Sequence, residues 1–143
     1  MKNMQKFEID ELKLCAERSH SPSNHKIGAV LVCEDGSCFF GFTVRRSSVL
    51  GSTCAERMAL DNWYQSSRKS KPVKIILTGK IARDNFDESC IVYPCGSCRE
   101  MYHQLCQEHE INDFIFECYS WDMKACDRKK IKDLLFYGKP FYE

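Results

Sequence analysis

The sequence has almost no excess of charge: 21 lysines and arginines stand against 20 aspartates and glutamates, a formal net charge of +1. Such a balance offers no general attraction for a polyanion, so nucleic acid is not the expected partner and a small molecule is. The chain also lacks any run of about 18 apolar residues, the length that spans a bilayer. Its opening segment MKNMQKFEID lacks the apolar centre of a secretory signal. A soluble, cytoplasmic protein with no membrane contact is the expectation. There is no internal repeat, no low-complexity tract and no linker, and 143 residues suit one core, so a single domain over 1–143 is expected.

What is present in quantity is cysteine, with ten in the chain. A secreted disulfide scaffold would be smaller and would carry an export signal, so the cysteines read as thiols and metal ligands. The four histidines, His20, His25, His103 and His109, have no ligand-like spacing.

Apolar periodicity lays out the elements. Phe7, Ile9, Leu12, Leu14 and Cys15 fall at roughly helical spacing, and Ser21-Pro22 closes that helix. The stretch IGAVLVCEDGSCFFGFTV reads as a hairpin, Ile27 to Cys33 and Ser37 to Val44, around Glu34-Asp35-Gly36. Arg45 to Ser52 has no periodic pattern and reads as a loop. A helix is predicted from Thr53 to about Gln65, with Thr53 as N-cap, Glu56 completing a capping box, and Met58, Ala59, Leu60 and Trp63 on its buried face. VKIILTG is a buried strand; Pro94 introduces a helix from about Cys95 to Glu108. The remainder predicts a strand at Phe114 to Tyr119, a turn at Ser120 to Asp122, a short strand around Met123 to Cys126, and a helix from Arg128 to Phe136 with Lys129-Lys130 on its solvated face. Strands separated by crossover helices imply an α/β sandwich, a partly parallel sheet of about five strands covered by helices.

Two segments carry chemistry: Thr53-Cys54-Ala55-Glu56-Arg57 and Pro94-Cys95-Gly96-Ser97-Cys98-Arg99. Each sits at a predicted helix start. Cys95 and Cys98 are three apart, so on a first helical turn their sulfurs lie on one face and can share a metal. The helix dipole and free backbone N–H groups there favour thiolates. Three cysteines fill three corners of a tetrahedron and leave the fourth for water, as a catalytic zinc site requires. Glu56, two residues after Cys54, is near enough to serve that water as acid and base. A structural zinc site is the competing reading, and it needs a fourth ligand such as Cys90, His103 or Cys106. The other cysteines, Cys15, Cys33, Cys38, Cys90, Cys106, Cys118 and Cys126, read as small apolar side chains.

On these motifs, and on the hairpin Ile27 to Val44 and the closing Leu134-Leu135 helix with its aromatic tail, the sequence resembles the cytidine deaminase family, including its blasticidin S deaminase relatives. Cys or His, then x-Glu, followed by Pro-Cys-x-x-Cys is the general signature of zinc deaminases. The resemblance implies a three-layer α/β/α sandwich with a mixed sheet, one Zn2+ per subunit held by Cys54, Cys95 and Cys98, and Glu56 as the acid/base. It implies that Arg57 tunes the metal by hydrogen-bonding a ligand sulfur, with Arg99 either doing the same or facing solvent. It also implies a homo-oligomer, a tetramer or a dimer, with Phe136, Tyr137 or Phe141 reaching a neighbouring active site.

The substrate positions depart from the family pattern. Where typical members carry an Asn and a Glu for the ribose hydroxyls, this chain has Thr43 and Arg45, and His25 aligns with the Phe that packs on the pyrimidine. Substrate contacts are assigned to His25, Thr43, Arg45 and Ala55. Arg45-Arg46 either face an anionic substituent or lie in solvent. The expected activity is hydrolytic deamination of a cytidine-like nucleoside with release of ammonia. A deaminase of a modified or anionic nucleoside, a polynucleotide-editing deaminase, and a catalytically silent zinc-binding relative are the other readings.

Overall fold

The computed structural model describes residues 6–48, 51–82 and 85–135. Along them run α1 (Lys6–Glu17), β1 (Lys26–Cys33), β2 (Cys38–Phe42), α2 (Ala55–Gln65), β3 (Pro72–Lys80), α3 (Gly96–Glu108), β4 (Ile115–Tyr119), β5 (Cys126–Lys130) and α4 (Ile131–Leu135). The strands form one five-stranded sheet in the order β2-β1-β3-β4-β5. Neighbours are antiparallel except β3 and β4, which are parallel. A parallel pair needs a crossover, and α3 supplies it.

Strand alternation divides the apolar residues between two faces. Ala29, Leu31, Ile75, Leu77, Phe116 and Cys118 meet Ala59, Leu60 and Trp63 of α2 and Tyr102 and Leu105 of α3. On the opposite face Val30 and Ile76 pack on Leu12 of α1. The expected three-layer α/β/α sandwich with a mixed sheet is therefore what the chain forms. The β1–β2 hairpin turns where predicted, with Gly36 at φ +85°, a left-handed conformation that glycine adopts at little cost.

Two glycines let the helical layers approach the sheet. A Cβ at Gly41 of β2 would sit 2.1 Å from the Ala55 carbonyl oxygen and 2.5 Å from the Ala59 nitrogen, both α2 backbone. On the other face, a Cβ at Gly28 of β1 would be 2.8 Å from the Leu12 carbonyl oxygen and from the Ala16 nitrogen of α1. The first contact matters for function, because it sets the height of the N-terminus of α2 above the sheet.

Some expectations are corrected. The capping box does not form. The N-cap of α2 is Cys54, without a side-chain cap hydrogen bond, while Thr53 is tied by its backbone to Val44 at 2.7 and 2.9 Å. The helix expected from Arg128 is instead strand β5 as far as Lys130, and α4 begins at Ile131. Lys129 and Lys130 therefore lie on an edge strand, with Lys130 exposed. The long cationic side chains there suit helix, but pairing with β4 decides the outcome. In that register Arg128 lies opposite Glu117, its Nε 3.3 Å from Oε2. The buried Glu117 carboxylate also lies 3.5 Å from Lys74 Nζ and accepts a 2.6 Å hydrogen bond from the Tyr119 hydroxyl. On α1, Leu14 faces outward at 66% exposure, whereas Leu12 and Cys15 are buried. The tail residues Phe136, Tyr137 and Phe141 lie outside the described residues. Among the described residues no helix is long and apolar enough to cross a membrane.

Replacing Gly41 by alanine is expected to push α2 off the sheet and cost about 1–3 kcal/mol, the range for overpacking a filled site. Chemical denaturation of the purified variant measures the loss, and its zinc content should fall in parallel. Gly36→Ala, where a Cβ meets nothing within 4 Å but φ is positive, should leave zinc content unchanged.

Candidate active site

Helices α2 and α3 both begin at a cysteine. Cys54 and Cys95 are the N-caps, each in extended conformation (φ −77°, ψ 149° and φ −69°, ψ 166°). Their carbonyls accept the first helical hydrogen bonds, from Met58 and Arg99, both at 3.0 Å. Neither position uses a side-chain oxygen to satisfy the free N–H groups of the first turn. At α3 those N–H groups serve a sulfur: the backbone amides of Ser97 and Cys98 hydrogen-bond Cys95. The sequence places thiols where a stability-driven sequence would place Ser, Thr or Asp.

The sulfurs of Cys54, Cys95 and Cys98 lie within 4.8 Å of one another. Tetrahedral zinc with bonds of about 2.3 Å to sulfur places its ligands roughly 3.8 Å apart, so the trio fits with little movement. Among the described residues it is the group of His, Cys, Asp or Glu side chains that could hold a metal ion. The fourth ligands considered for a structural site do not join it. His103 and Cys106 line a different, shallower depression of about 780 Å3 beside Asp113, and Cys90 is exposed. A three-sulfur site leaves one coordination position for solvent or substrate. All ten cysteines are unbridged.

Hydrogen bonds inside the trio divide the thiols. Cys95 is held far below the ordinary thiol range, first by the Cys54 thiol, then by the Cys98 thiol and by the two amides. The same sharing pushes the partners up: Cys54 chiefly through Cys95, and Cys98 chiefly through Cys54 and then Cys95. Glu56 is buried, and burial raises its carboxyl above the usual range while a hydrogen bond with Cys98 opposes the rise. The carboxyl thus sits against the trio without belonging to it.

A cavity of about 500 Å3 opens over this cluster. Its volume suits a small organic molecule. Glu56, Cys54 and Cys95 line it, as do His25, Thr43 and Arg45 from the sequence assignments, together with Arg46 and Arg57. Ala55 is fully buried in the core beside them and is not among the lining side chains. Arg57 is exposed, and among the described residues the thiols take no hydrogen bond from it. Arg99 has another task. Its Nε donates to the Pro94 carbonyl at 2.9 Å and its Nη1 to the Leu134 carbonyl at 3.4 Å, locking the cysteine-bearing loop to α4.

Sequence reasoning missed several contributors. Ile27, Leu77, Ile81 and Val92 form an apolar wall, and Tyr93 is a half-exposed aromatic at the edge whose hydroxyl donates to Asp127 at 2.6 Å. Their signal was ambiguous, because strand-end apolar residues look like core. Tyr102 was also missed: fully buried on α3, it donates to the Glu56 carbonyl at 2.7 Å and so ties the two cysteine-bearing helices together. A tyrosine one helical turn after Cys98 offers a weak clue, since a buried hydroxyl needs a partner.

Comparison with known proteins follows the same residues. The model of the cytidine and deoxycytidylate deaminase zinc-binding region matches residues 2–116. The cytidine deaminase of Halalkalibacterium halodurans is 32% identical over 99 residues, 68% of this chain and 69% of that protein. That of Sporosarcina psychrophila is 28% identical over 99 residues, 68% of this chain and 67% of its own length. In structure, the cytidine deaminase of Burkholderia pseudomallei superposes with a TM-score of 0.74 at 25% identity, covering 92% of this chain and 96% of that one. The cytidine deaminase of Mycobacterium tuberculosis, at 17% identity, a TM-score of 0.63, and coverage of 93% and 96%, shares the fold. Motif, sulfur geometry and a family match across most of the length converge, and the chain belongs to the cytidine and deoxycytidylate deaminase zinc-binding family.

Proposed function

We propose that this protein is a hydrolytic deaminase that converts the amino group of a cytidine-like nucleoside to a carbonyl and releases ammonia. The observation that carries the reading is the trio of sulfurs within 4.8 Å of one another, with the buried Glu56 carboxyl hydrogen-bonded to one of them. Cys54, Cys95 and Cys98 would hold the zinc. When bound, zinc acts as a Lewis acid that activates water for attack on the amino-bearing ring carbon.

The chain's own groups do the rest. Glu56 accepts a proton from the attacking water and passes it to the adjacent ring nitrogen. It then takes the proton of the newly added hydroxyl and delivers it to the amine, which leaves as ammonia while the ring carbon becomes a carbonyl. Its raised carboxyl pKa makes it a stronger base for the first transfer and keeps it an acid for the second. The wall of Ile27, Leu77, Ile81 and Val92 holds the ring and limits water around the reacting atoms. Tyr102 and Arg99 act as positioning residues, since they hold helix starts and touch no substrate.

Ten unbridged cysteines support a reducing, cytoplasmic location, and the family resemblance supports a homo-oligomer, whose size sedimentation would measure.

Zinc-loaded protein should release ammonia from cytidine or deoxycytidine, and failure on a broad panel of aminopyrimidine nucleosides would exclude the reading. Glu56→Gln is expected to keep about one zinc per chain while kcat falls by roughly 10²–10⁴-fold, the range of general acid–base contributions. Cys95→Ala should lose both the metal and thermal stability, measured by metal analysis and melting. Because thiol ligands must shed protons to bind, zinc affinity should rise with pH and uptake should release protons, which titration calorimetry in buffers of different ionisation enthalpy reads directly.

A further inference from the structure

Among the described residues two large side chains with apolar surface stand well exposed, Leu14 at 66% and Tyr93 at 42%. Leu14 lies on α1, whereas Tyr93 lines the cavity over the sulfur trio. A tyrosine left open in this way ordinarily exchanges between rotamers. Tyr93 is instead fastened at both ends.

Its backbone precedes Pro94, and the proline ring restricts the residue before it to extended conformations. Pro94 is itself held, because its carbonyl accepts Arg99 Nε at 2.9 Å. Two residues upstream of Tyr93, Ile91 bridges Ser120, which follows β4. The far end of the ring is anchored too. The Tyr93 hydroxyl donates to Asp127 Oδ2 at 2.6 Å, the short distance of a hydrogen bond to a carboxylate. Asp127 sits on β5 opposite Cys118 of β4, so the anchor belongs to the sheet. Asp127 is not itself among the residues that line the cavity, so its influence on a ligand runs through the ring.

The place of the ring decides what it touches. Two residues of chain span at most about 7 Å, so the Tyr93 backbone stays that close to Cys95. Both residues line the cavity with Glu56. With the amino-bearing ring of a nucleoside at the floor beside Cys95 and Glu56, the base comes within reach of Tyr93. We propose that Tyr93 packs its ring on the flat base of the substrate, and that Asp127 is the positioning residue that holds it there. The assignment rests on the deaminase reading for the placement of the base. A ring fixed before the ligand arrives has little further freedom to lose, so the contact yields more affinity than a mobile ring would.

Calorimetry with cytidine on zinc-loaded Glu56→Gln protein measures the contact without turnover. In that background Tyr93→Leu, which keeps apolar bulk and loses the ring, should weaken binding about tenfold. Tyr93→Phe and Asp127→Ala each release the ring and should weaken binding about threefold, whereas Asp127→Asn, which still accepts the hydroxyl, should come within about twofold of the parent. Tyr93→Phe combined with Asp127→Ala should cost no more than either change alone, because both remove the same bond. With Glu56 restored, Tyr93→Leu should raise KM about tenfold while kcat falls by less than about threefold, and about one zinc per chain should be retained.

Loss of zinc from Tyr93→Leu, or a kcat that falls as far as KM rises, would show a merely structural role and overturn the proposal. Cytidine affinity unmoved by Tyr93→Leu, effects of Tyr93→Phe and Asp127→Ala that multiply, or no cytidine binding at all would overturn it as well. Ammonia release from cytidine by the unaltered protein reports separately on the deaminase reading. Turnover with an affinity independent of the ring sinks the Tyr93 assignment alone; ring-dependent binding without turnover sinks the deaminase reading alone.

Discussion

The contact between α2 and β2 at Gly41 is the constraint on which the site depends. Helix backbone lies against strand backbone there with no room for a side chain, so the first turn of α2 has one height above the sheet. Cys54 and Glu56 ride on that turn. Cys95 and Cys98 ride on the start of α3, and Tyr102 closes the frame by bonding α3 to the Glu56 carbonyl. Three sulfurs converge because two helix starts are each fixed to the same sheet and then to each other.

The convergence costs stability locally. Neither helix start has a side-chain cap, three thiols crowd together, and a carboxyl is buried beside them. Each feature breaks a rule that a sequence chosen for stability alone would keep, and such breaches cluster at functional sites. A metal ion held by Cys54, Cys95 and Cys98 would offset the crowding, because it would neutralise the thiolates, and Glu56 lines the same cavity. The surrounding core is built to carry the cost, with Tyr102, Phe114 and Phe116 in mutual aromatic contact below α3.

The cavity is asymmetric, with apolar walls and a buried acid at its floor and guanidinium groups at its rim. The floor follows from the two helix starts. The rim follows from a segment that looked patternless, Arg45 to Ser52, yet is held by bridges from Val44 to His20 and to Thr53. Floor and rim thus come from different parts of the fold.

The sulfur trio and Glu56 were legible in the sequence because their spacing is local: Cys98 comes three positions after Cys95, and Glu56 two positions after Cys54, each pattern tied to one helical turn. The hairpin, the buried strand Pro72–Lys80 and the two main helices were legible for the same reason, since apolar periodicity is a short-range signal. What only the tertiary structure decided depends on partners far along the chain. Thr53 became a bridge residue because Val44 lies opposite it, Arg128 to Lys130 became a strand because β4 offered an open edge and Glu117 a charge, and Arg99 turned inward to the Pro94 and Leu134 carbonyls. Local propensity cannot register a hydrogen bond or an ion pair whose other half arrives only when the sheet closes.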